Sequence, residues 1–196
     1  MRIEHRSSFA IRCLQIPYLY CIIQLKKNQM RILILGGHGF IGCHTSDILK
    51  QQGHTIGVVD CYHQYYTFPD KEYFPILQIR KDHANSDQTF VGKIEDESFM
   101  ATVFQEFKPT VVIHLATYPN AKMVARNVTD ATNNMVTATA IILNLCVKSN
   151  VKRFVFASSS MAYGEFNGKI PNETVACNPN TLYGSYKHQG ERMCQI

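Results

Sequence analysis

Short apolar segments alternate with amphipathic stretches from Met30 to the end of the chain. The first apolar segment, Arg31–Leu35, is continuous after its arginine, which is typical of a strand buried on both faces. The same reasoning predicts four more strands, at Thr55–Asp60, Thr89–Gly92, Thr110–Leu115 and Arg153–Ser158. Strands separated by helical patterns indicate a parallel sheet with crossover helices. We therefore expect an α/β fold, a doubly wound parallel sheet with flanking helices.

Helices are predicted between these strands at Ile41–Gln52, Glu95–Phe107 and Val128–Ser149, with a last helix from Leu182 into the C-terminus. The remaining connection, Cys61–Gln88, is rich in tyrosine and contains two prolines, so we expect a long loop there. Its tyrosines, within Tyr62–Tyr73, could line a substrate cleft. Packing on the domain surface is the simpler interpretation.

Glycines mark the turn from the first strand to the first helix, at Gly36, Gly39 and Gly42. Such a turn lets a helix N-terminus meet a pyrophosphate without side-chain obstruction, although glycines there can also serve packing alone. Asp60 ends the second strand, where a carboxylate can accept hydrogen bonds from the ribose hydroxyls of adenosine. The same carboxylate repels a 2′-phosphate, so this pattern favours NAD over NADP. A carboxylate that only caps a turn is the structural alternative.

Tyr183 and Lys187 stand four positions apart, so a helix brings them to one face. An ammonium beside a phenol stabilises the phenolate and is expected to lower the pKa of Tyr183. Alone, this spacing is a common surface pairing. Here the strand Arg153–Ser158 also ends in a run of serines, at the carboxyl edge where open α/β sheets bind ligands. We therefore expect general-base chemistry at this edge.

Charge and cysteine content exclude other classes of function. The chain of 196 residues carries a formal charge of +5, but much of the excess lies in residues 1–29, and no lysine and arginine run suggests nucleic-acid binding. The seven cysteines include no C-x-x-C pair and no histidine at zinc spacing, so we predict no metal site. Scattered single cysteines are typical of a reducing compartment, and we expect a cytoplasmic protein.

Residues 1–29 precede the first predicted strand. Their apolar segment, Phe9 to Leu25, is too short and too interrupted for a membrane span, so no membrane association is expected. A basic, acid-poor leader could also target an organelle. We expect instead that Met30 is the initiator, or that residues 1–29 lie outside the fold. Residues 30–196 then form the one folded domain.

In this order, the motifs resemble the extended short-chain dehydrogenase/reductase family, and specifically its NAD-dependent sugar epimerases and dehydratases. The matching features are the glycine turn Gly36–Gly42, the acid Asp60, the run His114-Leu115-Ala116, Asn134 in the long helix, the serine-rich strand end, and Pro179-x-x-x-Tyr183-x-x-x-Lys187. The resemblance covers residues 30–196. It implies a Rossmann-like, NAD-binding domain of the UDP-glucose 4-epimerase type.

Site residues follow from this resemblance, position by position. It implies that Tyr183 is the base, that Lys187 activates Tyr183 and binds the nicotinamide ribose, and that Ser159 is the catalytic hydroxyl. The cofactor would contact a wider set of residues: Gly36, Gly39, Phe40, Ile41, Asp60, Ile94, Ala116, Asn134 and Lys187. His114 is expected to be a structural histidine at a strand end, not a proton carrier.

The residues after Ser159 distinguish the subclasses. The resemblance implies an Asp-Glu pair there in sugar dehydratases, whereas this chain has Ser160 and Met161. A thioether performs no acid–base chemistry, which disfavours elimination. What remains is 4-epimerisation of a UDP-hexose or hexuronate through transient oxidation to a keto sugar. Alternatives are a dehydratase or reductase of the same family, or a non-catalytic NAD-binding module.

Two departures from the family pattern affect these expectations. Lys93 replaces the aspartate that bonds the adenine amino group, which is expected to weaken cofactor binding by about 1 kcal/mol. Family members also continue far beyond the helix that carries Tyr183, into a C-terminal substrate domain. Because this sequence stops at Ile196, we expect an incomplete domain that is inactive when isolated. Family members commonly form homodimers through a helix pair that includes this helix.

Overall fold

The computed structural model describes residues 29–66, 69–166, 168 and 171–196. These described residues contain five strands, at β1 (Arg31–Leu35), β2 (Thr55–Asp60), β3 (Gln88–Val91), β4 (Val111–His114) and β5 (Arg153–Phe156). The same part of the chain contains seven α-helices, at α1 (Phe40–Gln51), α2 (Asp70–Ala84), α3 (Glu97–Phe107), α4 (Ala121–Arg126), α5 (Val128–Thr132), α6 (Ala138–Lys148) and α7 (Leu182–Met193). The predicted extension lies outside the described residues as far as residue 28.

All five strands are parallel and lie in the order β3-β2-β1-β4-β5. In the central register, Leu35 pairs with Val59 on one side and with His114 on the other. The chain begins at the central strand, proceeds to one edge, and then returns to the other side of β1. This doubly wound order confirms the predicted α/β, Rossmann-like fold and brings the carboxyl ends of β1, β2 and β4 together.

Side chains of β1 alternate between two apolar layers, as strand geometry requires. Leu33 and Leu35 lie in the layer that packs against α3 and α6. Ile32 and Ile34 lie in the opposite layer, which contains Leu49 of α1. Each of the four β1 residues is no more than 1% exposed, so the central strand is buried on both faces as predicted.

The loop predicted for Cys61–Gln88 is wrong, because this region contains the fifteen-residue helix α2. Only two of its residues, Leu77 and Ala84, are buried, so the helix lacks the wide apolar stripe that predicts helices. Pro75 also lies inside it. Its ends do carry helix signals: acidic residues in the first turn, basic residues in the last, and the left-handed cap Asn85 with φ 48°.

The predicted helix Val128–Ser149 is interrupted in its first half. A π-helical turn, Asn133–Thr137, separates α5 from α6. A π-helical turn contains about one residue more than an α-helical turn. Such turns are frequent at functional sites, where they redirect side chains. Within the described parts of the chain, no helix is both long enough and apolar enough to span a membrane.

Candidate active site

The glycine turn connects β1 to α1 at the carboxyl edge of the sheet. Gly36 has φ +80°, and a Cβ atom there would lie 2.8 Å from the backbone nitrogen of Ala116, so a side chain is excluded on both grounds. Gly39 is the N-cap of α1 and offers no side-chain hydrogen bond. The N–H groups of the first helical turn are therefore not capped by Gly39, which is the arrangement that binds phosphate.

Both carboxylate oxygens of Asp60 accept backbone hydrogen bonds at the end of β2. The N–H of His38 donates to Oδ2 at 3.0 Å, and the N–H of Tyr62 donates to Oδ1 at 2.9 Å. These bonds fix the carboxylate beside the glycine turn. Each oxygen retains a further lone pair for a ribose hydroxyl.

A cavity of about 310 Å³ opens along this edge. It is lined by six of the predicted cofactor residues, namely Gly36, Gly39, Asp60, Ile94, Ala116 and Asn134. The other three, Phe40, Ile41 and Lys187, do not line it; Phe40 and Ile41 are 69% and 66% exposed at the start of α1. Their predicted contact with the cofactor stays a prediction.

Three buried polar atoms beside this cavity have no hydrogen-bond partner: Nδ1 of His38, Oγ1 of Thr117 and Oδ1 of Asn134. All three residues line the cavity. Buried polar atoms are nearly always paired in native proteins, so these atoms fit a polar ligand that fills the space. The glycine turn, Asp60 and these unpaired atoms together fit a dinucleotide.

Asn134 reaches the cavity from the π-helical turn and is 8% exposed. Its Nδ2 donates a 3.5 Å hydrogen bond to Glu95, which fixes the orientation of the amide. Glu95 also forms an ion pair with Lys93 at 3.8 Å. Lys93, whose side chain is 60% exposed, is thereby drawn toward Glu95 and offers no acceptor to an adenine amino group.

The structure distinguishes between the two interpretations of the tyrosines within Tyr62–Tyr73, cleft lining and surface packing. Tyr62, Tyr65 and Tyr73 line the cavity, so the surface-packing interpretation is wrong for these three. Helix α2 adds Leu77 and Arg80, and the spacing 73, 77, 80 is that of one helical face. That spacing could have revealed these residues, had the segment been recognised as a helix.

Helix α7 positions Tyr183 and Lys187 on its buried face, as predicted. Thr181 caps the helix by accepting a 3.1 Å hydrogen bond from the N–H of Gly184. Tyr183 is 9% exposed and Lys187 is 4% exposed. The Lys187 ammonium donates a 2.7 Å hydrogen bond to the carbonyl oxygen of Ala157, just after β5.

Ser159 lies opposite these residues, at the N-cap of a short 3-10 turn, Ser160–Ala162. Its Oγ accepts a 3.2 Å hydrogen bond from the N–H of Met161. Burial raises the pKa of Tyr183, and a hydrogen bond with Ser159 lowers it to a smaller extent. The net direction is upward, which contradicts the predicted lowering by Lys187, because desolvation of the phenol outweighs the stabilising contacts.

The surroundings of His114 fit a structural histidine and not a proton carrier. It is 2% exposed, its Nε2 lies 3.3 Å from the hydroxyl of Thr139, and the rings of Phe154 and Phe156 flank it. Burial, together with the nearby Lys187 ammonium, lowers the pKa of His114 to about 3. The ring is therefore neutral at physiological pH and carries no positive charge there.

Comparison with known proteins identifies relatives of this arrangement. A sequence model described as the NAD dependent epimerase/dehydratase family matches residues 32–196. A UDP-glucose 4-epimerase from Halalkalibacterium halodurans is 31% identical over 168 residues, covering 84% of this chain and 45% of that protein. UDP-glucuronate 4-epimerase 2 from Arabidopsis thaliana is 28% identical over 172 residues, covering 85% and 38%. The chain thus spans about half the length of such relatives, or less.

Solved structures give the same result for the fold. The UDP-glucose 4-epimerase of Thermus thermophilus, in complex with NAD, superposes with a TM-score of 0.69 at 27% identity, covering 83% of this chain and 49% of that one. The UDP-glucose 4-epimerase of Thermotoga maritima, with UDP-glucose, superposes with a TM-score of 0.68 at 29% identity, covering 82% and 48%.

Proposed function

The chain belongs to the NAD-dependent epimerase/dehydratase family, and we propose that it is the cofactor-binding part of a nucleotide-sugar 4-epimerase. The proposed substrate is a UDP-hexose or UDP-hexuronate, since several relatives are named as epimerases of UDP-glucose or UDP-glucuronate. The observation that carries the proposal is the convergence of Ser159, Tyr183 and Lys187 after β5: Ser159 bonds Tyr183, and the Lys187 ammonium lies 6.0 Å from the centre of the Tyr183 ring.

NAD is the cofactor, and the residues present fit it. Asp60 binds the adenosine ribose, and the start of α1 receives the pyrophosphate. Ala116 and Asn134 line the same cavity, and Lys187 is assigned to the nicotinamide ribose by the family resemblance. When bound, NAD supplies a hydride acceptor that later returns the hydride to the same sugar carbon.

Proton transfer is assigned to Tyr183. Its phenolate takes the proton of the sugar 4-hydroxyl, and Ser159 donates a hydrogen bond that orients the same oxygen. Lys187, buried and held by Ala157, supplies the positive charge that favours the phenolate once the site is filled. After the keto sugar has rotated to present its other face, the phenol returns the proton, so the reaction needs no net acid or base.

Two side chains argue against elimination of water. Ser160 is exposed, and Met161 packs against the apolar cluster that contains Tyr183. Neither provides the carboxylic acid and carboxylate that a dehydratase uses on its substrate. The choice of an epimerase over a dehydratase therefore rests on the lack of an acid–base side chain at Ser160 and Met161.

The test uses the full-length protein with NAD and, separately, UDP-glucose and UDP-glucuronate. Product analysis by NMR is expected to show the C4 epimer without net accumulation of reduced cofactor. Tyr183→Phe should abolish conversion and still bind NAD. Tyr186→Phe is the matched control, because its hydroxyl bonds Thr132 at 2.9 Å and lies outside the proposed chemistry.

Each alternative gives a different result in this assay. Loss of water from the sugar would assign the protein to the dehydratases. In a parallel incubation with reduced cofactor in place of NAD, stoichiometric consumption of that cofactor would assign it to the reductases. NAD binding with no conversion of either sugar would leave a non-catalytic NAD-binding module. Any of these outcomes contradicts the epimerase proposal.

A further inference from the structure

Three side chains with metal-binding donors lie together beside α7, outside the site described above. The thiol of Cys177, a ring nitrogen of His188 and a carboxylate oxygen of Glu191 are all within 4.8 Å of one another. His188 and Glu191 are three positions apart on α7, so their side chains share one face of the helix. Cys177 comes from the irregular segment before α7.

The nitrogen of His188 gives a second, independent indication of a ligand. Its Nδ1 is buried and has no hydrogen-bond partner. The nearest carboxylate oxygen, Oε2 of Glu191, lies 3.7 Å away, which is too long for a hydrogen bond. Zinc–ligand distances of about 2.0–2.3 Å place tetrahedral ligands about 3.3–3.7 Å apart, so the His188–Glu191 separation already matches a shared ion.

Glu191 is also held from its other side. The hydroxyl of Ser158 donates a short hydrogen bond to Oε1 of Glu191, which leaves Oε2 directed toward His188. Outer contacts of this kind orient the ligands of real metal sites. The group therefore has both the ligands and the support of a metal centre.

One sulfur, one nitrogen and one oxygen donor select the kind of ion. Calcium and magnesium prefer oxygen ligands, whereas zinc takes thiolate, imidazole and carboxylate together. We propose that Cys177, His188 and Glu191 bind a Zn²⁺ ion whose fourth ligand is water. The ion fastens the segment before α7 to the helix that carries Tyr183, and through Ser158 to the end of β5.

Geometry sets the adjustment that binding requires. All separations within the group are within 4.8 Å, so none exceeds a tetrahedral edge by more than about 1 Å. Rotation of the Cys177 or Glu191 side chain covers this distance without moving α7. The sequence alone does not reveal the site, because one ligand lies eleven residues before the other pair and no C-x-x-C spacing marks it.

The experiment titrates the metal-free full chain with Zn²⁺ in competition with a chromophoric chelator. One ion is expected per chain, and Zn²⁺ should raise the unfolding temperature. Cys177→Ser and His188→Gln should each weaken affinity on the order of 100-fold, and Ser158→Ala about tenfold. Cys61→Ser and His83→Gln, both at exposed positions away from α7, should keep wild-type affinity.

Substitution with Co²⁺ reports the ligand types by absorption spectroscopy. The wild-type spectrum alone shows whether a thiolate binds the metal, so this part of the test does not require a variant to fold. A thiolate-to-cobalt charge-transfer band is expected in the wild-type protein and should vanish in Cys177→Ser. A cobalt complex without that band, or a Zn²⁺ affinity unchanged in both ligand variants, overturns the proposal. Neither result bears on the epimerase assay, because that assay requires no metal.

Discussion

The hydroxyl of Tyr183 shares a hydrogen bond with the side chain of Ser159, across the gap between α7 and the turn that follows β5. This bond lowers the pKa of Tyr183 against the larger, opposing effect of burial. It joins two segments that are 24 residues apart in the sequence. The proposed base and its hydroxyl partner are thus in contact before any substrate arrives.

Removal of this bond is expected to shift the pH dependence of catalysis. In Ser159→Ala the pKa of Tyr183 rises, so the phenolate forms only at higher pH and the rising limb of kcat/KM moves to the alkaline side. Ser159→Thr keeps a hydroxyl and should keep the wild-type profile. The measurement is a pH series of initial rates in the full-length protein.

Ser160→Ala is the control for this series, because Ser160 is adjacent in sequence but exposed. An unchanged limb in Ser159→Ala, or an equal shift in Ser160→Ala, would remove Ser159 from its assigned role.

Asp60 is expected to determine cofactor affinity and choice. Asp60→Asn removes the negative charge at the ribose, so NAD affinity should fall by about tenfold, the value of one charge-assisted hydrogen bond. Discrimination against NADP should decrease as well. Isothermal titration with both cofactors measures this effect.

Asp87→Asn provides a matched comparison at the start of β3. Asp87 accepts a 2.7 Å hydrogen bond from the N–H of Ile56 and pairs with Lys50, but it does not line the cavity. Its replacement should leave NAD affinity unchanged. Equal losses in the two variants would indicate a general effect on folding and not a ribose contact.

Substitution of Gly36 and of Gly53 by alanine allows the cost of a steric clash to be measured apart from the cost of backbone strain. Both have positive φ, but a Cβ atom at Gly53 meets no atom within 4 Å, whereas one at Gly36 approaches the backbone of Ala116. Gly53→Ala should therefore cost about 1–2 kcal/mol of unfolding free energy from strain alone. Gly36→Ala should cost clearly more, about 3 kcal/mol or above, and should abolish NAD binding. Urea unfolding distinguishes the two, and equal costs would contradict the close packing at Gly36.

His114 makes the fold sensitive to acid. Its pKa is about 3 in the folded protein and about 6.5 when unfolded, so the unfolded state binds the proton first as pH falls. Stability is complete above the unfolded value and decreases below it, by about 2 kcal/mol at pH 5. His38 and His54, whose pKa values are also lowered by burial, act in the same direction.

The variant His114→Asn should lose about 2 kcal/mol less than the wild type when urea unfolding is compared at about pH 7.5 and pH 5. The Lys187 ammonium, which contributes to the low pKa of His114, is present in both variant and wild type. Identical losses in variant and wild type would show that His114 is protonated in the folded state.

The sequence predicted the parts of this molecule that burial controls. β1 is buried on both faces, so its apolar run was unambiguous, and the glycine turn follows from close contact with Ala116. Helix α2 is not predicted because only two of its residues are buried, and the cavity residues Leu77 and Arg80 are missed with it.

The upward pKa shift of Tyr183 could not be predicted for a different reason. Residue spacing puts Lys187 on the same helical face, but it does not reveal how much of the phenol is removed from water. Long-range packing between α7 and the 3-10 turn determines that, as it determines the cluster of Cys177 with His188 and Glu191.

Transfer of the C4 hydrogen tests the account most directly. Full-length protein is incubated with NAD and UDP-glucose that carries deuterium at C4, and the product is examined by NMR. Because the hydride leaves C4 and returns to it within one turnover, the C4 epimer should retain its deuterium, and Tyr183→Phe should form no epimer. Deuterium lost to solvent, or an epimer formed equally well by Tyr183→Phe, would contradict epimerisation through the base Tyr183.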